Sequence, residues 1–221
     1  MTLISIEGCL GVGKSTLVQR VAKVLPCAPF YEDVEANPFL LDFYRDPKHF
    51  SIHAQYTFLL LQARRFQASI DHARTNEGKK GAMLLREQEK TSLCDFHPFK
   101  SIVFSSVVLQ PEERAPLSQL YRLLRIPQPD LVIYLKADES TIMGRLRKRD
   151  DLYRADVDFT YITSVCQAYE NFFRTYAGPY VTIDTTHIDY VGNPQEVSVV
   201  LQHIPLLFSS LCSQSGAEQG S

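Results

Sequence analysis

The sequence has no surplus of positive charge: 23 Lys and Arg stand against 25 Asp and Glu, a formal net charge of −2. A nucleic-acid binder that works through backbone phosphates would carry a basic excess, so that class is set aside. No apolar run approaches the ~18 residues of a membrane-spanning helix. The N-terminus opens directly into an apolar stretch, leaving no room for a signal or transit peptide, and a cytoplasmic protein is expected. There is no CxxC: Cys9, Cys27, Cys94, Cys166 and Cys212 are odd in number and scattered. That spacing fits neither a disulfide framework nor zinc and reads as reduced thiols. The six histidines show no metal-ligand spacing, and His53 and His97 read as structural. Internal repeats are lacking, and so is the NKxD string of guanine readout. What remains is globular: 45% hydrophobic and 11% aromatic residues are too many for a disordered chain. The 221 residues suit one domain with a full-sized core, taken as 1–212, before the polar tail 213–221.

The chain is organised around its first 25 residues. An apolar run (Leu3, Ile4, Ile6) ends at Gly8-Cys9-Leu10-Gly11-Val12-Gly13-Lys14-Ser15-Thr16, and Leu17, Val18, Val21, Ala22 and Leu25 follow at helical spacing. This is GxxxxGK[ST] between a strand and a helix, the context that gives the motif its meaning. Glycines let main-chain N–H groups converge into a cup, and the new helix turns its positive dipole end toward the same point. Lys14 then reaches the β- and γ-phosphates, and Ser15 completes a Mg²⁺ shell. The pattern predicts ATP-type nucleotide binding over Gly8–Thr16. Cys9 lies inside the cup, so alkylating it is expected to block the nucleotide.

Beyond the cup, strands alternate with helices. Strands are predicted at 28–31, 91–95, 130–135 and 180–184. Helices are predicted at 39–44, 48–73, 98–109, 113–125, 138–149, 158–176 and 195–211, with Pro111 closing the third of these. Tyr56, Leu59, Leu60, Ala63 and Ile70 form the apolar stripe of the long helix, and 76–90 reads as a surface excursion. The fold class is therefore α/β: a P-loop NTPase-type five-stranded parallel sheet with helices on both faces and a short arginine-rich lid.

Strand ends supply the candidate chemistry. Glu32 can take a proton from an attacking hydroxyl, or be an ordinary solvated strand end, and its local sequence leans to the latter. Asp95 reads equally as a Mg²⁺ ligand or as the cap of the helix begun at Pro98. Arg145, Arg147, Lys148 and Arg149 end a helix, where they complement its dipole. Beside a bound triphosphate they also stabilise spreading charge, which is the reading favoured. Gln55 points toward the cup, and a carboxamide can pair with a base edge.

Taken together, IEGCLGVGKST, YEDVEANPFLLDFYRDPKHFSIHAQYTFLLL, CDFHPFKSIVF, PDLVIYLKA, RLRKRD and FTYITSVCQAYENFF resemble the deoxynucleoside kinase family, most closely its bacterial deoxyadenosine/deoxycytidine and deoxyguanosine members. The resemblance covers nearly the whole chain. It implies Glu32 as general base, Tyr44 on the sugar 3′-hydroxyl, Gln55 on the base edge, Phe104 stacked on the base and Asp95 near Mg²⁺. It implies Arg145 and Arg149 as lid arginines on the adenine and phosphates of ATP, a deoxynucleoside as the other substrate, and a homodimer. The chain also departs from the family. Phe96 stands where many members carry arginine, and Lys100 is expected to supply that charge. Gln62 and Ser101 replace a charged arginine–aspartate pair that reads the base, a change expected to make the pocket more tolerant of thymine. Asp151 replaces a lid arginine, and Arg154 replaces an acid that touches the 3′-hydroxyl. Two alternatives stand beside this reading: a thymidine or thymidylate kinase, and a regulatory GTP switch.

Overall fold

The computed structural model describes residues 2–25, 27–75, 91–148, 158–190 and 192–202. Five parallel strands, β1 (Thr2–Gly8), β2 (Ala28–Phe30), β3 (Thr91–Cys94), β4 (Leu131–Lys136) and β5 (Tyr180–Asp184), form one sheet in the order β2-β3-β1-β4-β5. Ile4 of β1 pairs with Leu93 on one side and Leu131 on the other. The chain visits β2 and β3 before it crosses β1 to reach β4. The ends of β1 and β3 therefore open at the point where the winding reverses, the place where such sheets bind ligands.

The pleat sorts β1 and β4 into two faces. Ile4, Ile6, Ile133 and Leu135 pack with Leu17, Val18 and Val21 of α1 (Lys14–Val24) and with Val200 and Leu201 of α8 (Val197–Gln202). Val132 and Tyr134 face the other way. They meet Phe99, Val103 of α4 (Lys100–Val108), and Ile162, Val165, Tyr169 and Phe173 of α7 (Phe159–Thr175). Strands buried on both faces explain why β4 reads as a continuous apolar run. Tyr134 and Phe173 stack at 4.3 Å, which fixes α7 over the sheet.

Between β2 and β3 lie a 3-10 turn at Val34–Ala36, α2 (Leu40–Arg45) and the 29-residue α3 (Pro47–Thr75). Asn37 is buried and ties this segment: its amide donates to Ala54 O at 3.0 Å and its carbonyl accepts from Phe39 N. The buried stripe of α3 is Ser51, Ala54, Gln55, Leu59, Gln62, Phe66, Ser69 and Ile70, not the fully apolar one expected. Leu60 is half exposed, because a one-residue step turns a side chain by about 100°. Its place inside is taken by glutamines that line a cavity.

Pro111 opens α5 (Pro111–Leu123) and does not close α4, since a missing N–H costs nothing at the first helical position. Asp138 caps α6 (Glu139–Arg147) by accepting from Thr141 N at 2.6 Å. Of the expected lid, Arg145, Arg147 and Lys148 are described, and Arg149, Asp151 and Arg154 lie outside the described residues. So do the excursion at 76–90, the last helix beyond residue 202 and the 213–221 tail. Among the described residues no helix is long and apolar enough to cross a membrane.

Candidate active site

The cup is built at the end of β1. Gly13 adopts φ 108° as it starts α1, and a Cβ there would lie 2.3 Å from Tyr190 Oη, whose hydroxyl donates to Val12 O. The Lys14 ammonium donates to Gly8 O at 2.8 Å and Cys9 O at 3.0 Å. Burial and then repulsion by Lys100 pull Lys14 down to about 8. Leu10 leans from the cup into the neighbouring pocket, and Thr16 lies partly buried in the first turn of α1.

Across the switch point, Asp95 follows β3. It accepts from the Ser15 hydroxyl and, at 2.7 Å, from Glu32 N. It caps no helix, because α4 begins at Lys100 without a side-chain cap. Burial raises the Asp95 carboxyl above its usual range, against the lowering effect of the Ser15 bond. A carboxylate and a hydroxyl in contact fit a Mg²⁺ ion delivered with a triphosphate. Among the described residues no group of three or more His, Cys, Asp or Glu is placed to hold a metal. Such an ion would therefore draw most of its ligands from phosphate and water.

Glu32 is not a solvated strand end. Lys100 Nζ pairs with its Oε2, and Gln62 Nε2 donates to its Oε1 at 2.6 Å. Burial alone would raise its pKa, but the Lys100 charge and these bonds outweigh that and hold it below the glutamate range. Ser101 Oγ donates to Gln62 Oε1 at 2.8 Å, so the Gln62 amide is committed at both ends. Gln55 is equally buried, yet its amide has no hydrogen-bond partner among the described residues. It lines a pocket with Glu32, Tyr44, Phe104, Lys100 and Tyr161. Phe104 is braced edge-on by Tyr169 at 6.1 Å, and Lys100 Nζ sits 5.5 Å over its ring.

Arg145 does not stand free in the lid. Its guanidinium donates to Val12 O, Thr185 O, Thr185 Oγ1 and Ile188 O at 2.7–3.1 Å, tying the cup to the turn after β5. His97 is buried and structural: Nδ1 accepts from Phe99 N, Nε2 lies 3.1 Å from Pro127 O, and burial lowers it to about 4.

Two residues escaped the sequence reading. Tyr161 enters the pocket from α7 with only helical spacing to announce it. Glu7, fully buried at the end of β1, accepts from Tyr169 Oη at 2.9 Å and from His97 N. A carboxylate inside an apolar strand was itself the available signal. Burial lifts Glu7 to about 7 against the pull of Lys100 and Lys14. The folded state thus holds a proton that the unfolded chain releases near 4.5, so stability falls as pH rises from about 4.5 to about 7. Glu7→Gln, which removes that titration, is expected to gain stability relative to the parent between pH 5 and pH 8. Thermal melts at the two pH values check it.

The comparisons with known proteins agree with this geometry. A family model described as deoxynucleoside kinase matches residues 4–208. The chain belongs to the deoxynucleoside kinase family. Its reaction is therefore ATP-dependent phosphotransfer. Similar curated kinases include the deoxyguanosine kinase of Bacillus subtilis, 27% identical over 91% of this chain and 95% of that protein. The deoxyadenosine/deoxycytidine kinase of the same organism is 26% identical over 92% and 91%. Among solved structures, the deoxyadenosine kinase of M. mycoides with dCMP and dCDP superposes with a TM-score of 0.74 at 21% identity, covering 91% of this chain and 97% of that one. With bound dCTP the score is 0.72 at 20% identity, over 91% and 97%. These superpositions establish the fold of the kinase, a five-stranded P-loop sheet.

Proposed function

We propose that this kinase moves the ATP γ-phosphoryl to the 5′-hydroxyl of a 2′-deoxynucleoside of the deoxyadenosine, deoxycytidine or deoxyguanosine type, in cytoplasmic nucleotide salvage. One observation carries the reading: Glu32, Tyr44, Gln55 and Phe104 line a single pocket, and Asp95 joins Glu32 to Ser15 of the cup. The base lies against Phe104, Gln55 pairs with its edge, and Tyr44 holds the 3′-hydroxyl. Glu32 then faces the 5′-hydroxyl as general base. A carboxylate offers about four acceptor sites, so Glu32 takes the substrate hydroxyl without releasing Gln62 or Lys100. The cup amides and Lys14 align the triphosphate for in-line attack. Ser15 and Asp95 would hold Mg²⁺, which supplies charge neutralisation on the phosphates when bound.

Ser101 donates to Gln62 and Gln62 donates to Glu32, so base selection falls to Gln55 and the pocket's shape. A neutral pocket of this kind accepts thymine more readily than a charged pair would. A thymidylate kinase is disfavoured, because the one cation lining the pocket among the described residues, Lys100, is already paired with Glu32. A panel of the four deoxynucleosides, adenosine, cytidine and the monophosphates tests the reading; phosphorylation of monophosphates alone would sink it.

Lys100 has two tasks: it keeps Glu32 ionised, and it offers its ammonium to the transferring phosphoryl. Lys100→Ala is expected to lower kcat by about 10- to 100-fold, the worth of one charged hydrogen bond in a dry site. It also removes the main influence that lowers the Glu32 pKa, so the acid limb of the pH–rate profile should move to higher pH. Unchanged turnover would void the assignment. The proposed assembly is a homodimer. Sedimentation of the full chain tests it.

A further inference from the structure

The one thiol in the phosphate cup turns away from it. Cys9 is 3% exposed and its Sγ lies 3.7 Å from Ile162 O on α7. Cys166 follows Ile162 by one helical turn, hence on the same face of α7, and is half-buried. Both cysteines line a cavity of about 270 Å³ bounded by α6, α7 and the C-terminal ends of β4 and β5. The neighbouring Cys166 thiol and then burial push Cys9 up. Cys9 in turn holds Cys166 below the usual thiol range, against burial and the charges of Glu139 and Glu170. The other described thiols are poor competitors: burial lifts Cys27 to about 11 and Cys94 to about 12.

We propose that Cys9 and Cys166 are a peroxide-sensitive thiol pair whose disulfide pins the phosphate cup to α7 and closes the ATP site. The inference rests on the cup holding the triphosphate.

The chemistry balances with hydrogen peroxide as oxidant. The Cys166 thiolate attacks one peroxide oxygen and the O–O bond breaks. This leaves a Cys166 sulfenic acid and a hydroxide, which takes up the proton Cys166 had lost and departs as water. The Cys9 sulfur then attacks the sulfenic sulfur: an S–S bond forms, the S–O bond breaks, and the Cys9 proton leaves with the hydroxide as a second water. Two thiols have given two electrons to one peroxide. Cys166 acts first because it is the more ionised and the more open of the pair. A resolving thiol on the wall of the same cavity intercepts the sulfenic acid before further oxidation.

The link to ATP is mechanical. A disulfide needs its sulfurs about 2.05 Å apart, closer than any hydrogen-bonded pair. Closing that gap draws residue 9 toward α7. The carbonyls of Gly8 and Cys9 are those that seat the Lys14 ammonium, and the flanking amides form the anion-binding cup. Both halves of the phosphate grip move with them.

The test uses the full chain, treated with hydrogen peroxide, its remaining thiols then blocked, and its peptides mapped by mass spectrometry. In parallel, binding of a fluorescent ATP analogue is measured before and after dithiothreitol. A Cys9–Cys166 cross-linked peptide is expected, with binding weakened at least tenfold and dithiothreitol reversing both. Cys166→Ser should begin with unchanged turnover and keep its ATP affinity within twofold under the same treatment. Three results would overturn the proposal: no cross-link in the oxidised protein, a cross-link that leaves ATP binding intact, or equal loss in Cys166→Ser. Untreated protein that binds no ATP would refute the kinase reading too, and is told apart because the cross-link is read by mass alone.

Discussion

Glu32→Gln is expected to lower kcat by about 10²- to 10⁴-fold, the usual worth of a positioned general base, and to change KM for the nucleoside little. The substitution keeps the shape of the side chain and one carbonyl oxygen, so either Gln62 or Lys100 retains an acceptor. It removes the group that can take the 5′-hydroxyl proton. The pH dependence separates this loss from a collapse of the site. Lys100 holds Glu32 below the glutamate range, so the parent enzyme should keep its activity well into mild acid. It should then decline as the carboxylate is protonated. The Gln variant should lack that acid limb altogether. Placing an amide among donors already aimed at a carboxylate also costs stability, which a thermal melt measures independently. Full turnover in Glu32→Gln would contradict the mechanism, whatever the substrate panel shows.

Gly8→Ala should be the most damaging single change in the cup. Residue 8 has φ 144°, a conformation that side chains with a Cβ rarely adopt. The added atom would also lie 2.2 Å from the Leu135 carbonyl oxygen. That neighbour is main chain held in the β1–β4 ladder, where Gly8 pairs with Leu135, so it cannot step aside as a side-chain tip would. Strain and overpacking together are on the order of 4 kcal/mol, or roughly 10 °C in Tm for a chain of this size. ATP affinity should fall at least about 100-fold, since the first turn of the cup shifts with the strand. Gly144→Ala is the control: a Cβ there meets nothing within 4 Å, and in α6 the change should be neutral or stabilise by about 0.5 kcal/mol. Calorimetry and nucleotide titration of the pair distinguish local strain from a general intolerance of alanine. Equal Tm in both variants would refute the steric account.

The cup was legible from sequence because glycine spacing, a lysine and a hydroxyl specify a backbone shape directly. The strands were legible for the same local reason: β5 lies where 180–184 was predicted. Local position named Glu32 and Gln55 only as candidates, the resemblance gave them roles and added Tyr44 and Phe104, and the structure brings all four to one cavity. What stayed hidden were relations between distant residues. Nothing near Gln62 says that its amide bridges Glu32 and Ser101, 30 and 39 positions away. Glu7 reads as an interruption of an apolar strand until Tyr169, 162 residues on, is seen to donate to it. Leu60 fits a helical stripe on paper, yet cavity-lining glutamines on α3 draw the buried face around to Gln55, Leu59 and Gln62. Pro111 looked like a stop because proline both ends and begins helices, and only the capping contact of Gln110 N with Glu113 at 2.8 Å separates the two.

Arg145 gives the donor end of the enzyme an unusual freedom. Three of its four bonds go to main-chain carbonyls, at Val12, Thr185 and Ile188, which every amino acid possesses. Those three acceptors survive a change of side chain, so the clasp between the cup and the turn after β5 is written into the backbone rather than into particular neighbours.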